Sequence, residues 1–189
     1  HQNAERAKAQ AAFADYGQYL DSLEMTATIK GFEPLYIQRI AQLTNKSNQF
    51  NLTTLRCSED DIRAMAGDKN DLCLCGKLVD KFGDNGIVTV VAGRQQGDVL
   101  DLTLWLMSCR LLKRGMEDAM MDTVVAEAAA RGVKTIVGHY YPTAKNAMVR
   151  EFYAQYDFAK TAEDADGNTE WTLDVAAYTP KHPHMKIER

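Results

Sequence analysis

The chain has 189 residues, 46% hydrophobic and 25% charged, with 22 lysines and arginines against 26 aspartates and glutamates. That balance fits one globular domain with a short appendage, and excludes a disordered, collagen-like or disulfide-built chain. No apolar run approaches the roughly 18 residues that span a bilayer, and a net charge of −4 without a long basic stripe argues against membrane and nucleic-acid partners.

The start, His1-Gln2-Asn3-Ala4-Glu5-Arg6, lacks the apolar stretch of a secretory signal and reads as a cut inside a longer protein. Cys57, Cys73, Cys75 and Cys109 contain no C-x-x-C pair, so no metal site is expected. A chain of this length buries a core without staples, so the thiols are read as reduced and the compartment as cytoplasmic. The sequons at Asn45 and Asn51 are then chance matches.

From Ala4 to about Leu23, Ala9, Ala12, Phe13, Tyr16 and Leu20 recur near one helical face, as in a connector between domains. Met25, Ala27 and Ile29 then alternate with Thr26, Thr28 and Lys30, which predicts a strand with one buried face. Pro34 suits the first turn of a helix reaching about Thr44. A polar loop follows, and Ser58 with Asp61 makes a near capping box ahead of Ile62 and Met65, which predicts the start of a short helix.

Three strands come next, Leu72 to Val79, Ile87 to Gly93 and Val99 to Met107. The turn chemistry of Gly83-Asp84-Asn85-Gly86 and Gln95-Gln96-Gly97-Asp98 joins them into an antiparallel meander. After a break at 112–115, Met116 to Arg131 predicts an amphipathic helix presenting Met120, Met121, Val124 and Ala128. Gly132 ends it as a left-handed cap. Val133 to His139 reads as a strand, Lys145 to Tyr156 as a helix, and Phe158 to Thr161 and Trp171 to Val175 as strands around an Asp166-Gly167-Asn168 turn. Pro180 to Arg189 has no period and is expected to be mobile.

This order, with a meander feeding a glycine-bearing loop and a helix, resembles the GNAT acyltransferase fold: an α/β (α+β) mixed sheet with helices on both faces. In that fold the loop after the fourth strand holds the coenzyme A pyrophosphate on backbone N–H groups at a helix start. The resemblance places Leu112, Lys113, Arg114, Gly115, Met116 and Glu117 at that loop. It matches Asn146-Ala147 through Phe152-Tyr153 to Asp157-Phe158 with the family's next helix, whose tyrosine, Tyr153 here, usually protonates the leaving thiolate. Leu112 stands where glutamine or arginine is expected, and Glu117 where a small residue is expected. A carboxylate there repels a diphosphate, so the loop is either a coenzyme A site offset by Lys113 and Arg114 or a degenerate helix start with a favourable first-turn acid.

Four blocks are similar to the C-terminal part of the FkbH-like proteins: Asn48 to Thr54, Lys81 to Gly86, Trp105 to Arg110 and Pro142 to Asn146. The resemblance covers about Met25 to Leu173. It implies a parent that joins a HAD-type phosphatase-like domain to a GNAT-like domain and loads a glyceryl group from 1,3-bisphosphoglycerate onto an acyl carrier protein. Residues 1–23 would then be the linker helix from that HAD-like partner, 24–179 the GNAT-like domain and 180–189 the tail. No HAD nucleophile motif is present: Asp164-Ala165-Asp166 runs into turn residues.

Cys109, at the end of the meander, is a candidate to hold an acyl group in transit, its thiolate favoured by Arg110 and a nearby helix start; otherwise it packs as a small hydrophobe. His139 is a candidate general base or a hydrogen-bonded strand end. Asn48, Gln49, Phe50 and Asn51 are candidates to line the acceptor side, holding acyl hydroxyls or pantetheine amides, or to satisfy their own loop. Tyr153 is either the acid or a core aromatic. The expected function is acyl transfer from a phosphopantetheine thioester, on coenzyme A or a carrier protein. The alternatives are a non-catalytic module docking the carrier or HAD domain, and an acetyl-CoA-dependent N-acetyltransferase.

Overall fold

A computed structural model describes residues 2–13 and 15–189. Eight strands form one mixed sheet in the order β6-β7-β5-β4-β3-β2-β1-β8. The meander is β2 (Asp71–Asp80), β3 (Gly83–Gln96) and β4 (Val99–Met107), all antiparallel, with β1 (Thr26–Lys30) antiparallel to β2. The first turn is tighter than the sequence predicts: it falls at Lys81-Phe82, and Gly83–Gly86 belongs to β3. Parallel pairing joins β4 to β5 (Thr135–Tyr140), and β7 (Thr169–Asp174) and β6 (Ala159–Glu163) add antiparallel strands beyond it.

The sheet is covered on both faces. Strand alternation sends Leu72, Leu74 and Leu78 of β2 to one face, with Ala27 and Ile29 of β1 and Met25 just before it. Helix α5 (Met116–Ala130) fills that face together with the Val149–Phe158 segment. Cys75 points the other way, into a second core with Ile37, Ile40 and Leu43 of α3 (Ile37–Lys46) and Ile62 of α4 (Glu59–Gly67). Cys57, Cys73 and Cys75 all belong to that layer, and burial pushes the Cys73 and Cys75 thiols up to about 12, which suits inert core residues. The Ser58–Asp61 capping box forms as predicted.

Four elements differ from the sequence expectation. The connector is two helices, α1 (Gln2–Ala11) and α2 (Tyr16–Ser22), because Asp15 caps a new start by accepting from Gly17 N–H at 2.7 Å. Helix α5 is buried nearly all round, with Met116, Ala119, Thr123 and Val125 joining the predicted face, since loops and the chain end cover its outer side. The helix predicted over 145–156 is instead two 3₁₀ turns, Ala147–Val149 and Tyr153–Tyr156. Three residues per turn stack Val149 on Phe152 and Tyr153 on Tyr156, which lets all four side chains enter one core. The end of the chain, expected as a mobile tail, carries β8 (Lys186–Glu188), parallel to β1, and its Lys181 and His182 N–H groups donate to Asp122.

A β-bulge at Thr103 positions the site. Ala92 pairs with Leu104 and Gly93 with Leu102, leaving Thr103 as the extra residue. The bulge switches faces, so that Leu100 and Leu102 but then Trp105 and Met107 enter the α5 core. It also ends the pairing of β4 with β5, which covers only Val99–Asp101 against Thr135–Val137. Beyond it the two parallel strands separate.

Candidate active site at the end of the fourth strand

The gap between β4 and β5 is filled by the chain's own Phe50-Asn51-Leu52 segment. Leu52 N–H donates to Trp105 O at 3.0 Å, Met107 N–H to Phe50 O at 3.0 Å, and Tyr141 N–H to Leu52 O at 2.9 Å. Phe50, Asn51 and Leu52 are all buried. The edge groups that β4 would offer to an extended ligand are therefore already bonded, and no open gap remains between the strands. Asn51, expected to line the acceptor side, instead turns inward: its Oδ1 accepts from Thr54 N–H and its Nδ2 donates to Ser47 O.

Asn146, expected at the cofactor, locks this segment. It is fully buried, its Oδ1 accepts from Thr143 N–H at 2.8 Å and Tyr140 O–H at 3.2 Å, and its Nδ2 donates to Asn51 O at 3.0 Å and Tyr141 O at 2.9 Å. Every hydrogen-bonding position of the amide is used by the chain itself.

The loop at 112–117 is closed in the same way. Gly115 has φ +91, a conformation that glycine adopts without strain, and its N–H donates to Glu117 Oε1 at 3.2 Å. The chain end lies against it: a Cβ on Gly115 would stand 3.1 Å from Pro183 Cβ. Leu112 and Met116 pack into the α5 core, and Tyr16 O–H donates to Lys113 O. Within the backbone cradle expected for a pyrophosphate, Glu117 thus takes the Gly115 N–H, and Pro183 and Met185 lie beside Gly115. Burial, then the charge of Asp118, pushes the Glu117 carboxyl up to about 7, against the lowering effect of backbone N–H groups. The folded state then holds more protons than the unfolded state between the ordinary glutamate value of about 4.3 and about 7, so stability falls as pH rises through that window. Glu117→Gln should abolish this slope and stabilise the domain by about 3 kcal/mol above pH ~7. Urea midpoints at about pH 5 and about pH 8 check it; parallel shifts in both proteins would disprove it.

Tyr153 and His139 lie on opposite faces of β5. Tyr153 is 2% exposed, enclosed by Trp105, Phe152 and Phe158, and burial raises its phenol well above the ordinary value. Its ring presses on β5 so closely that a Cβ on Gly138 would lie 2.5 Å from Cζ, which only glycine permits. His139 is the next residue and faces the opposite side of the sheet, its Nε2 2.5 Å from Asp101 Oδ1.

Cys109 does lie in a cavity. It opens a short 3₁₀ turn, Cys109–Leu111, directly after β4, and packs against the α5 core while lining an open space of about 580 Å³. Asn48, Gln49 and Phe50 line the same space, as do Ser47 and Ser108. Four cations complete it: Arg39 and Lys46 from α3, Arg110, and Lys145 from the loop after β5. No carboxylate lines it, and among the described residues none of the four cations forms an ion pair. Arg56 fixes the loop by donating to Thr44 O, Ser47 O and Asn48 Oδ1. Sequence reasoning found Cys109, Arg110 and the 48–50 stretch but missed Arg39, Lys46 and Lys145, which are single residues scattered along the chain and form no run.

Solved structures with the same fold include acetyltransferases. The ribosomal-protein-S18-alanine N-acetyltransferase of Escherichia coli superposes with a TM-score of 0.59 at 15% identity, over 79% of this chain and 94% of that one. The GNAT domain of S. lividans PAT gives 0.59 at 15%, over 77% and 89%. The spermidine N-acetyltransferase of Vibrio cholerae, solved with CoA and spermine, gives 0.59 at 9%, over 79% and 96%. The chain therefore has the GNAT acetyltransferase fold. No protein-family model and no curated protein sequence matches it.

Proposed function

We propose that this chain performs acyl transfer through Cys109, taking a small anionic acyl group of glyceryl type from an acyl phosphate and passing it to the pantetheine thiol of an acyl carrier protein. The observation that carries this reading is the Cys109 cavity, which combines a thiol, hydroxyl and amide side chains and four cations with no carboxylate. The fold of acetyltransferases supports acyl transfer as the reaction class. The resemblance to FkbH-like proteins supports the glyceryl-type substrate, the carrier and a phosphatase-like partner domain.

In this reading the Cys109 thiolate attacks the acyl carbon, the carbon–oxygen bond to phosphate breaks, and inorganic phosphate leaves with the electron pair, giving a Cys109 thioester. Arg39, Lys46, Arg110 and Lys145 hold the substrate's negative charge and that of the leaving phosphate. Asn48, Gln49 and Ser108 hold hydroxyls of the acyl group. The carrier thiolate then attacks the thioester and Cys109 leaves as thiolate, ready for another donor. Acyl phosphate incubation should add one acyl group to the chain by intact-mass spectrometry, and Cys109→Ala should abolish the adduct. Undiminished labelling of that variant would remove the thiol from the mechanism.

The filled β4–β5 gap favours a second reading, a non-catalytic module that docks the carrier or the phosphatase-like domain. Carrier binding without any thioester on Cys109 would select it. Micromolar coenzyme A binding by calorimetry would instead restore the acetyl-CoA-dependent N-acetyltransferase reading.

A further inference from the structure

A second cationic cavity lies where α1 and α2 meet the loop after β4. It holds about 280 Å³, several times the roughly 30 Å³ share of one water. Arg6, Arg110, Lys113 and Arg114 line it with Tyr16 and Tyr19, and no carboxylate does. Behind it, wholly inaccessible to solvent, Asp80 binds Arg6 through two bonds of 2.6 and 2.9 Å. Arg6 Nη1 donates to Asn3 Oδ1, so that guanidinium is satisfied.

Arg114 is not. It is 9% exposed, and its Nη1 stands 3.5 Å from Asp80 Oδ2 without hydrogen-bond geometry and without another acceptor. Two buried guanidiniums therefore share one carboxylate that Arg6 already uses. A buried cation with an unmet N–H is unfavourable unless an anion reaches it. Burial and the neighbouring Arg6 charge lower the Arg114 pKa, in line with a missing counter-charge. Arg110 and Lys113, at the mouth of the cavity, also lack ion pairs among the described residues.

We infer that this cavity binds a phosphate group, with Arg114 as its deep donor and Lys113 and Arg110 at its rim. Planar guanidinium matches phosphate oxygens in pairs, and the ammonium adds a point charge. The site uses side chains of the helix pair and loop, not the blocked amides at Gly115, and it stands whether or not Cys109 carries an acyl group. Two sources share this chemistry: the phosphate of a phosphopantetheine arm, and free phosphate.

The test titrates the full chain carrying Lys46→Gln and Lys145→Gln, which weaken the Cys109 cavity, with inorganic phosphate, 4′-phosphopantetheine and pantetheine. Saturable phosphate binding that weakens at least about tenfold with Arg114→Gln, and with the exposed and structurally safe Lys113→Gln, is expected. Phosphopantetheine binding tighter than phosphate, with pantetheine silent, would assign the arm; equal affinities would assign free phosphate. Either supports the site. Absence of saturable binding, or binding unmoved by Lys113→Gln and by a folded Arg114→Gln, overturns it.

Discussion

Asp80→Asn should destabilise the domain by about 3–5 kcal/mol, the range found when one partner of a buried ion pair is removed. Asp80 is enclosed between Arg6 and Arg114 with no exposed side-chain surface. The neutral amide would leave two guanidiniums buried together without a counter-ion, and like charges at close range in a poorly solvated site repel strongly. Burial alone would raise the Asp80 carboxyl; the Arg6 hydrogen bonds, the Phe82 N–H and the two positive charges outweigh it and hold the pKa below the ordinary carboxylate value. A depressed carboxyl contributes stability that is present above the unfolded value of about 3.9 and lost as pH falls through the folded one. Acid unfolding of the native chain should therefore steepen below about pH 4, and that limb should be missing in Asp80→Asn. Guanidinium denaturation at neutral pH measures the main effect. A loss under about 1 kcal/mol would show that α1 contributes little to the fold. Added phosphate should recover part of the loss in this variant, because a ligand that binds only the native state stabilises it by mass action.

Asn146→Ala should cost about 3 kcal/mol and loosen one segment in particular. The side chain makes four hydrogen bonds in a fully buried position, and truncation leaves Asn51 O and Tyr141 O without those donors. The Phe50–Leu52 backbone is bonded to β4, to Tyr141 and to this amide, so local opening should follow. Hydrogen exchange at the Leu52, Met107 and Tyr141 amides should accelerate while the β2–β3 amides keep their protection. Uniform acceleration across the sheet would instead mean that the segment opens only with global unfolding. The same variant shows whether an opened gap changes the affinity for coenzyme A.

The resemblance placed the functional residues along one ligand path, and the folded chain divides them. Cys109, Asn48, Gln49 and Phe50 share a cavity, because the loop after α3 folds back onto the end of β4. Tyr153 and Asn146 sit in the core, and Glu117 occupies the amides it follows. Glu117 and Leu112 are visible as departures in the sequence, and both mark the closed loop. Nothing local announces that Phe50–Leu52 fills the gap between parallel strands, since that depends on a bulge at Thr103 far along the chain. The Arg6–Asp80 pair escaped notice for a related reason: Arg6 lies on the helical face of Ala9 and Phe13, where a charge acquires meaning only once its partner 74 residues away is known.

What the sequence by itself determined is the set of elements whose cause is local. Alternation produced the strands of the meander, Ser58 and Asp61 started α4, and Gly132 ended α5, because backbone preference and capping act over a few residues. The tertiary structure alone decided the 3₁₀ turns of 147–156, the eighth strand at the chain end, the filled gap and the two cationic cavities. Each depends on burial and on charges brought together from distant positions, and in a packed interior the neighbours set both the conformation and the free energy of an ionised group.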